Sequence, residues 1–295
     1  MFKKYLIFNF LIIQKLFLIL IYPIKIIFYI IYLLHRKPFS YGYNFHKWKV
    51  INKNLLSKNI TNSEYLDERL IEYNWLFKNL KKFQKSKNKK LLDAGSTINF
   101  NLILKYLNKN FKIFIQTLYP EPYSEYYNGV SYIYSDLRES CFKKNYFDII
   151  TCISTLEHIG LKNDEYDFFN TKKSNANKII KNKIKVKYNI YRDDIKVIKE
   201  FKRILKKNGS LLLTIPYGKK NILKTLRQYD DNMVSEILKT FNGKVKDISY
   251  ATYKNKKWNY CKKEDCVIKN FGEQIINNEI ISSARSVVML SLEKK

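Results

Sequence analysis

The residues of this sequence best suited to chemistry are Glu157 and His158, which directly follow an apolar run over residues 147–154. An imidazole changes charge near neutral pH, so His158 is the candidate general base that takes a proton from an acceptor atom. The alternative is that His158 ties down the loop that follows it. No metal site is predicted, because two adjacent side chains rarely point to one ion.

Two other apolar runs end in the same way as the first. The run at 91–95 ends in Asp93-Ala94-Gly95, and the run at 211–218 ends in Pro216-Tyr217-Gly218. Apolar strands that are each followed by small or polar residues at the carboxyl end are typical of a parallel sheet. A ligand crevice is expected along that edge of the sheet.

The segments between and around these runs alternate between strand and helix patterns, which predicts a doubly wound α/β domain. The predicted helix at 192–207 ends at Asn208-Gly209, a common helix stop. The other predicted elements are, in chain order, helix 66–83, helix 100–107, strand 112–118, strand 131–135, helix 233–241, strand 245–253 and strand 286–292.

In their order and spacing, the three runs and their exits resemble the class I S-adenosylmethionine-dependent methyltransferases. The resemblance implies a Rossmann-like fold with a mostly parallel, seven-stranded sheet. It also implies that the chain is an enzyme that uses S-adenosylmethionine as its methyl donor.

The glycine-rich motif of that family is matched only at its start. Leu92-Asp93-Ala94-Gly95 matches the opening, so the resemblance assigns Asp93 and Gly95 to donor binding. Thr97 and Asn99 stand where the second and third glycines are usual, and Thr97 is still assigned to the donor site. One glycine is a weaker signal than the full motif.

Three further residues are assigned to the donor by the same resemblance. Thr117 stands where the family has an acidic residue that binds the ribose, and Glu121 is a possible substitute for that carboxylate. Asp136 matches the residue that accepts a hydrogen bond from adenine, with a helix or turn cap as the alternative. Ser154 is expected to line the donor pocket.

The acceptor side is assigned to Glu157 and Tyr217, with His158 as base. Segments 67–75 and 227–230 look like flanking features of bacterial methyltransferases of surface-polysaccharide gene clusters. That likeness implies a saccharide or lipid-linked glycan precursor as acceptor. A catalytically degenerate, membrane-bound scaffold of the same fold is the alternative function, motivated by the missing glycines and carboxylate.

The formal net charge of +29 comes from 55 basic and 26 acidic residues and first suggests nucleic acid or an anionic membrane as partner. The basic residues are spread along the whole chain together with many Ile, Asn, Tyr and Phe, a pattern typical of A/T-rich coding sequence. No separate RNA-binding module is evident. Nucleic acid is therefore disfavoured as a partner, and RNA methylation is the last-ranked alternative.

Residues 1–37 are predicted to associate with membrane lipid. Between residues 5 and 34 the only charged side chains are Lys15 and Lys25, and Pro23 should kink a helix there. Any spanning window places a lysine near the middle of the bilayer, which favours a helix lying in the cytoplasmic leaflet. A single transmembrane span remains open, and the catalytic domain is expected on the cytoplasmic side in both cases.

The predicted organisation has three parts: a membrane segment at 1–37, a connector with one helix at 38–88, and the catalytic domain at 89–295. A lysine-rich insertion or lid at 162–191 interrupts the catalytic domain. The four cysteines do not match common zinc spacings and are expected as reduced thiols.

Overall fold

An eight-stranded mixed sheet is the centre of the fold. The computed structural model describes residues 51, 53–57, 60, 66–83, 88–120, 129–161, 192–222, 226–255, 257–266 and 284–295. The chain divides into two units, 1–52 and 53–295, and the following description concerns the second unit. The predicted membrane segment, Glu121 and the predicted insertion at 162–191 lie outside the described residues. Within those ranges, no helix is both long and apolar enough to span a bilayer.

The helices and strands of the second unit alternate along its first half and then give way to antiparallel strands. In chain order they are α1 (Arg69–Lys81), β1 (Lys89–Ala94), α2 (Asn101–Leu107), β2 (Phe111–Thr117), β3 (Ser131–Tyr134), β4 (Phe147–Ile153), α3 (Asp193–Ile204), β5 (Leu205–Pro216), β6 (Asn221–Ile222), β7 (Arg227–Gln228), α4 (Asp231–Phe241), β8 (Lys244–Lys254), β9 (Lys257–Cys261) and β10 (Ser286–Glu293).

The first five sheet positions are parallel and confirm the predicted doubly wound α/β architecture. The sheet order is β3-β2-β1-β4-β5-β10-β8-β9, with parallel pairing from β3 to β5. Nearly all of β4 and the second half of β1 are buried, as is typical of strands covered on both faces. That burial explains why these strands are continuous apolar runs in the sequence.

The other end of the sheet departs from the predicted seven strands. Strand β10 pairs antiparallel with both β5 and β8, and β8 forms an antiparallel hairpin with β9. The eighth strand, β9, was not predicted because Trp258 is its only fully buried residue among basic and polar neighbours. A strand with one buried side chain gives little hydrophobic periodicity to detect.

The helix predicted at 192–207 ends earlier than expected. It stops at Ile204, and the next residue already pairs with Phe147 as the start of β5. Asn208 has a left-handed φ of +59° and donates its amide to the carbonyl of Lys294. The Asn208-Gly209 pair therefore makes an irregular turn inside the long strand, not the end of the helix.

Two side chains of strand β9, in the β8–β9 hairpin, donate hydrogen bonds to helix α1 and to the residues just before it. The indole Nε1 of Trp258 donates to the carbonyl of Leu66 at 3.0 Å, just before the helix. The hydroxyl of Tyr260 donates to Oδ1 of Asn74, within the helix, at 2.8 Å. These bonds connect the first described helix of the unit to its last hairpin.

Candidate active site

The carboxyl ends of β1 to β4 meet at one edge of the sheet, as parallel pairing requires. Ala94 is in register with Gln116, and Thr117 is in register with Tyr134. The predicted donor residues that follow these strand ends therefore lie along a single edge: Gly95, Thr117, Asp136 and Ser154. Open α/β sheets bind their ligands at this edge.

Asp93 lies beneath the loop that leaves β1. It is fully buried, and its Oδ2 accepts from the amide of Ile98 at 2.9 Å. Its Oδ1 accepts from the hydroxyls of Thr97 and Thr151, each at 3.1 Å. Two of the predicted donor residues, Asp93 and Thr97, thus bond to each other and fix the shape of the loop.

Gly95 occupies a position where no other residue fits without strain. Its φ is +108°, and a Cβ built on it would lie 2.2 Å from Oγ1 of Thr155. The next residue, Ser96, also has a left-handed φ, of +62°. The Ser96 hydroxyl is buried and has no hydrogen-bond partner within the chain as described.

Gln116 connects the exits of three strands and was missed by the sequence analysis. Its carbonyl accepts from the amide of Gly95 at 2.9 Å. Its side-chain Nε2 donates to Oγ of Ser135 at 2.9 Å and to the carbonyl of Asp136 at 3.1 Å, while Oε1 accepts from Ser140. A polar residue inside the apolar strand 111–117 was the only available signal.

The Asp136 carboxylate takes the capping role that was the alternative prediction. Its Oδ1 accepts from the amide of Arg138 at 2.8 Å, at the start of a 3₁₀ turn. The Arg138 guanidinium also bonds both carboxylate oxygens and reaches Asp193. The Asp136 side chain remains 26 % exposed. Thr117, the predicted ribose-side residue, accepts the amide of Ser135 through its carbonyl at 3.0 Å.

Ser154, at the exit of β4, has a strained backbone that a buried carboxylate holds in place. Its φ of +38° lies in the left-handed region, which is unusual for a residue with a Cβ. Its hydroxyl donates to Oε1 of Glu72 at 2.5 Å, and its amide donates to Oγ1 of Thr214 at 3.1 Å. Thr214 bonds the same Glu72 oxygen at 2.6 Å. The Ser154 side chain therefore points toward helix α1.

The Glu72 carboxylate is compensated by a neighbour on the same helix. Nη1 of Arg69 donates to Oε2 of Glu72 at 2.9 Å and to the carbonyl of Ile153 at 3.3 Å. Glu72 is fully buried. Arg69 and Glu72 belong to the flanking segment 67–75 of the sequence, and in the structure they support the end of β4.

Glu157 and His158 lie in a 3₁₀ turn after β4. Glu157 is 3 % exposed, and its Oε2 has no hydrogen-bond partner among the described atoms. Burial raises the pKa of Glu157 to about 8, so that its neutral form predominates at pH 7. Nε2 of His158 lies 4.0 Å from Oε1 of Glu157, and the His158 side chain is 24 % exposed.

A second buried charge pair lies next to this turn and bonds its backbone. The Arg227 guanidinium lies 3.7 Å from Oδ1 of Asp194, and both side chains are at most 2 % exposed. Nη1 of Arg227 donates to the carbonyl of Leu156 at 3.5 Å, and the Tyr229 hydroxyl donates to the same oxygen at 3.3 Å. The peptide that precedes Glu157 is thus fixed by two side chains.

Tyr217, predicted as an acceptor residue, is buried at the exit of β5. Its hydroxyl donates to Oδ1 of Asp231 at 2.9 Å, and its ring contacts Tyr250 edge-on at a centroid distance of 5.1 Å. Lys263 pairs with the other oxygen of Asp231 at 2.8 Å. Burial raises the pKa of the Tyr217 hydroxyl above its ordinary value, so it stays protonated.

No family model matches the sequence, and no curated protein matches it. Similar solved structures include a Methanosarcina mazei protein, solved as an S-adenosylmethionine-dependent methyltransferase, at 8 % identity and a TM-score of 0.45. It matches over 73 % of this chain and 96 % of its own. The 1,6-didemethyltoxoflavin-N1-methyltransferase of Burkholderia thailandensis, solved with S-adenosylhomocysteine, has 12 % identity and a TM-score of 0.41, over 71 % and 72 %.

A Galdieria sulphuraria protein assigned as a sarcosine dimethylglycine methyltransferase has 15 % identity and a TM-score of 0.43. The match covers 61 % of this chain and 62 % of that protein, which is less than two thirds of its length. Similarity at these levels does not specify an activity, since one fold serves many functions. The α/β architecture stated above follows from the strand order of the chain itself.

Proposed function

We propose that this chain is an S-adenosylmethionine-dependent methyltransferase whose donor lies along the carboxyl edge of β1 to β4. The observation that supports this most is the loop after β1, where Gly95 and Ser96 both have a positive φ and the buried Ser96 hydroxyl has no hydrogen-bond partner among the described residues. A loop of this kind at the exit of the first strand lets a ligand approach the main chain.

The residues at this edge fit the polar parts of such a donor. The unpartnered Ser96 hydroxyl and the Gly95 backbone would hold its amino-acid portion. Thr117 and the exposed part of Asp136, joined through Gln116, would hold its ribose and adenine. When bound, this donor supplies an activated methyl group, so the protein needs chiefly to position it in line with the acceptor.

His158 is proposed as the base that receives the acceptor's proton. It is partly exposed, while the neighbouring Glu157 is buried and holds its own proton near neutral pH. His158 is therefore the candidate base of this pair. Glu157 would contribute a hydrogen-bond donor to the acceptor through its unpartnered Oε2.

The proposed acceptor is a saccharide or a lipid-linked glycan precursor at the cytoplasmic face of the membrane. This rests on the sequence resemblance of segments 67–75 and 227–230. Arg227 and Tyr229 of these segments bond the turn that carries His158, and Arg69 and Glu72 bond the end of β4 just before it. Residues 1–37 would bring the enzyme and a lipid-linked acceptor into one plane. Mass spectrometry of surface glycans from cells with and without this protein would reveal a missing methyl group.

Calorimetry with the purified full-length chain tests the donor proposal directly. We expect saturable binding of S-adenosylmethionine and of S-adenosylhomocysteine, and we expect Gly95→Ala to weaken both. Binding of adenosine alone with the same affinity would contradict the assignment of the Gly95 loop to the amino-acid portion.

The alternative function is a scaffold with the same fold that no longer binds the donor. It is favoured by Asp136, whose two oxygens already bond Arg138, and by the lack of an acidic side chain at Thr117. Absence of a calorimetric signal up to millimolar S-adenosylmethionine would support the scaffold and exclude the enzyme.

A further inference from the structure

Two cysteine thiols at the end of strand β9 face each other. The Sγ atoms of Cys261 and Cys266 are 3.7 Å apart, and both residues are unoxidised. A 3₁₀ turn at Lys263–Asp265 lies between them and folds the chain back on itself. A disulfide bond requires a separation of about 2.0 Å, so a shift of less than about 2 Å would join the two atoms.

The two thiols differ in access and in acidity, as a nucleophile and a resolving thiol should. Cys261 is partly exposed, whereas Cys266 is 7 % exposed. The contact with Cys266 lowers the pKa of Cys261, while the same contact and burial raise the pKa of Cys266. Cys261 is therefore the thiol that both ionises and meets a reagent from solution.

The turn between the cysteines is linked to the exit of strand β5. Lys263 lies in this turn, and its Nζ pairs with Oδ2 of Asp231 at 2.8 Å. The other Asp231 oxygen accepts the hydroxyl of Tyr217 at 2.9 Å. A constraint on the turn would therefore be transmitted through Asp231 to Tyr217.

We propose that Cys261 and Cys266 are a covalent modification site that forms a reversible disulfide by exchange with a low-molecular-mass disulfide such as glutathione disulfide. The Cys261 thiolate attacks one sulfur of that molecule, forms a mixed disulfide and releases one glutathione thiolate. Cys266 then loses its proton to water and attacks Sγ of Cys261, which releases the second. The two protein thiols lose two electrons, and one glutathione disulfide gains them.

The test is to equilibrate the full-length chain with mixtures of reduced and oxidised glutathione, quench with acid, and block free thiols before peptide mass spectrometry. We expect the peptide that contains Cys261 and Cys266 to lose two hydrogens and to escape blocking at oxidising ratios. Added dithiothreitol should reverse both changes. If both thiols remain blockable at oxidising ratios, or if glutathione stays attached to Cys261, the proposal is wrong.

Single variants separate the two roles. Cys266→Ser should stop at glutathione attached to Cys261, because no resolving thiol remains. Cys261→Ser should leave Cys266 unmodified, since that thiol is buried. Cys141→Ser, which removes an exposed cysteine elsewhere, should leave the disulfide unchanged. Equal modification of Cys261 and Cys266 in the two single variants would contradict the assigned order of attack.

Hydrogen exchange tests the link to the β5 exit. We expect the backbone amides of residues 226–241 to exchange more slowly in the oxidised chain than in the reduced chain. Lys263→Met cannot pair with Asp231, so it should abolish this difference while the disulfide still forms. Identical exchange in the two redox states of the wild-type chain would show that the disulfide does not act on Asp231.

Discussion

The hydroxyl oxygen of Thr155 lies 2.2 Å from the point that a Cβ on Gly95 would occupy. The first residue after β1 and the second residue after β4 are thus in contact across the edge where the two strands end. This contact requires a glycine at position 95, and it gives the loop after β1 a fixed position against β4. The Gly95 requirement can be tested separately from backbone strain.

Gly95→Ala should destabilise the chain and weaken binding of S-adenosylmethionine. The substitution adds a Cβ in an overlapping position to a residue with a φ of +108°. Gly129→Ala is the matched control, because Gly129 also has a positive φ, +73°, but its Cβ would meet nothing within 4 Å. The control should cost only the backbone strain, about 1–2 kcal/mol. Urea denaturation and calorimetry would measure both effects, and equal losses in the two variants would contradict the steric explanation.

Glu72→Gln should lower the free energy of unfolding by about 3 kcal/mol, because it leaves the Arg69 guanidinium without its buried partner. Urea denaturation would measure this loss. Glu236→Gln is the control, because Glu236 pairs with Arg192 at a site where both side chains are 43 % exposed. Breaking that pair should cost at most about 1 kcal/mol. A loss at Glu72 no larger than at Glu236 would show that the buried network does not support Ser154.

Glu157→Gln should change how stability depends on pH. Burial raises the pKa of Glu157 to about 8 in the folded chain, whereas its ordinary pKa of 4.5 applies in the unfolded chain. Between these values the folded state binds more protons, so wild-type stability falls as pH rises. The variant has no carboxyl proton at this position, so it lacks this pH-dependent loss of unfolding free energy, which amounts to about 1.4 kcal/mol per pH unit. Urea denaturation between pH 4.5 and 8 should show that the unfolding free energies of the wild type and the variant depend differently on pH. Parallel plots of unfolding free energy against pH would contradict the raised pKa of Glu157.

His158→Gln should lower kcat by about 10²- to 10⁴-fold if His158 is the base. Its affinity for S-adenosylmethionine and its thermal midpoint should match the wild type, since the side chain is partly exposed. Activity would be measured on the acceptor identified from surface glycans. An unchanged kcat with a lowered thermal midpoint would instead support the alternative, in which His158 only fixes its loop.

The parallel half of the fold could be predicted because buried strands give continuous apolar runs. Two of these runs located Gly95 and Ser154 at one edge of the sheet, whereas Asp136 was assigned by the family resemblance at the end of the partly buried strand 131–135. The side chains that support this edge could not be predicted. Glu72 and Ser154 are 82 residues apart, and nothing in the sequence signals their hydrogen bond.

The contacts of two other residues, Gln116 and Tyr217, also could not be predicted from the sequence. Gln116 was overlooked because a polar residue near the end of a strand normally points to solvent, whereas here its side chain is buried and bonds the end of the neighbouring strand. Tyr217 was assigned to the acceptor side from its place after β5. Its ring is buried against Tyr250, because the antiparallel strands β8 and β10 extend the sheet on that side.

The bond between Trp258 and Leu66 spans 192 residues and has a consequence for synthesis. A ribosome that adds about 5–20 residues per second needs about 10–40 s to make the intervening chain. Until then the buried face of α1 lacks the contacts that the β8–β9 hairpin supplies. The hairpin joins the rest of the sheet only through β10, which is synthesised after it. The nascent protein is therefore expected to depend on chaperones during this interval, and to become resistant to protease only after β10 has left the exit tunnel.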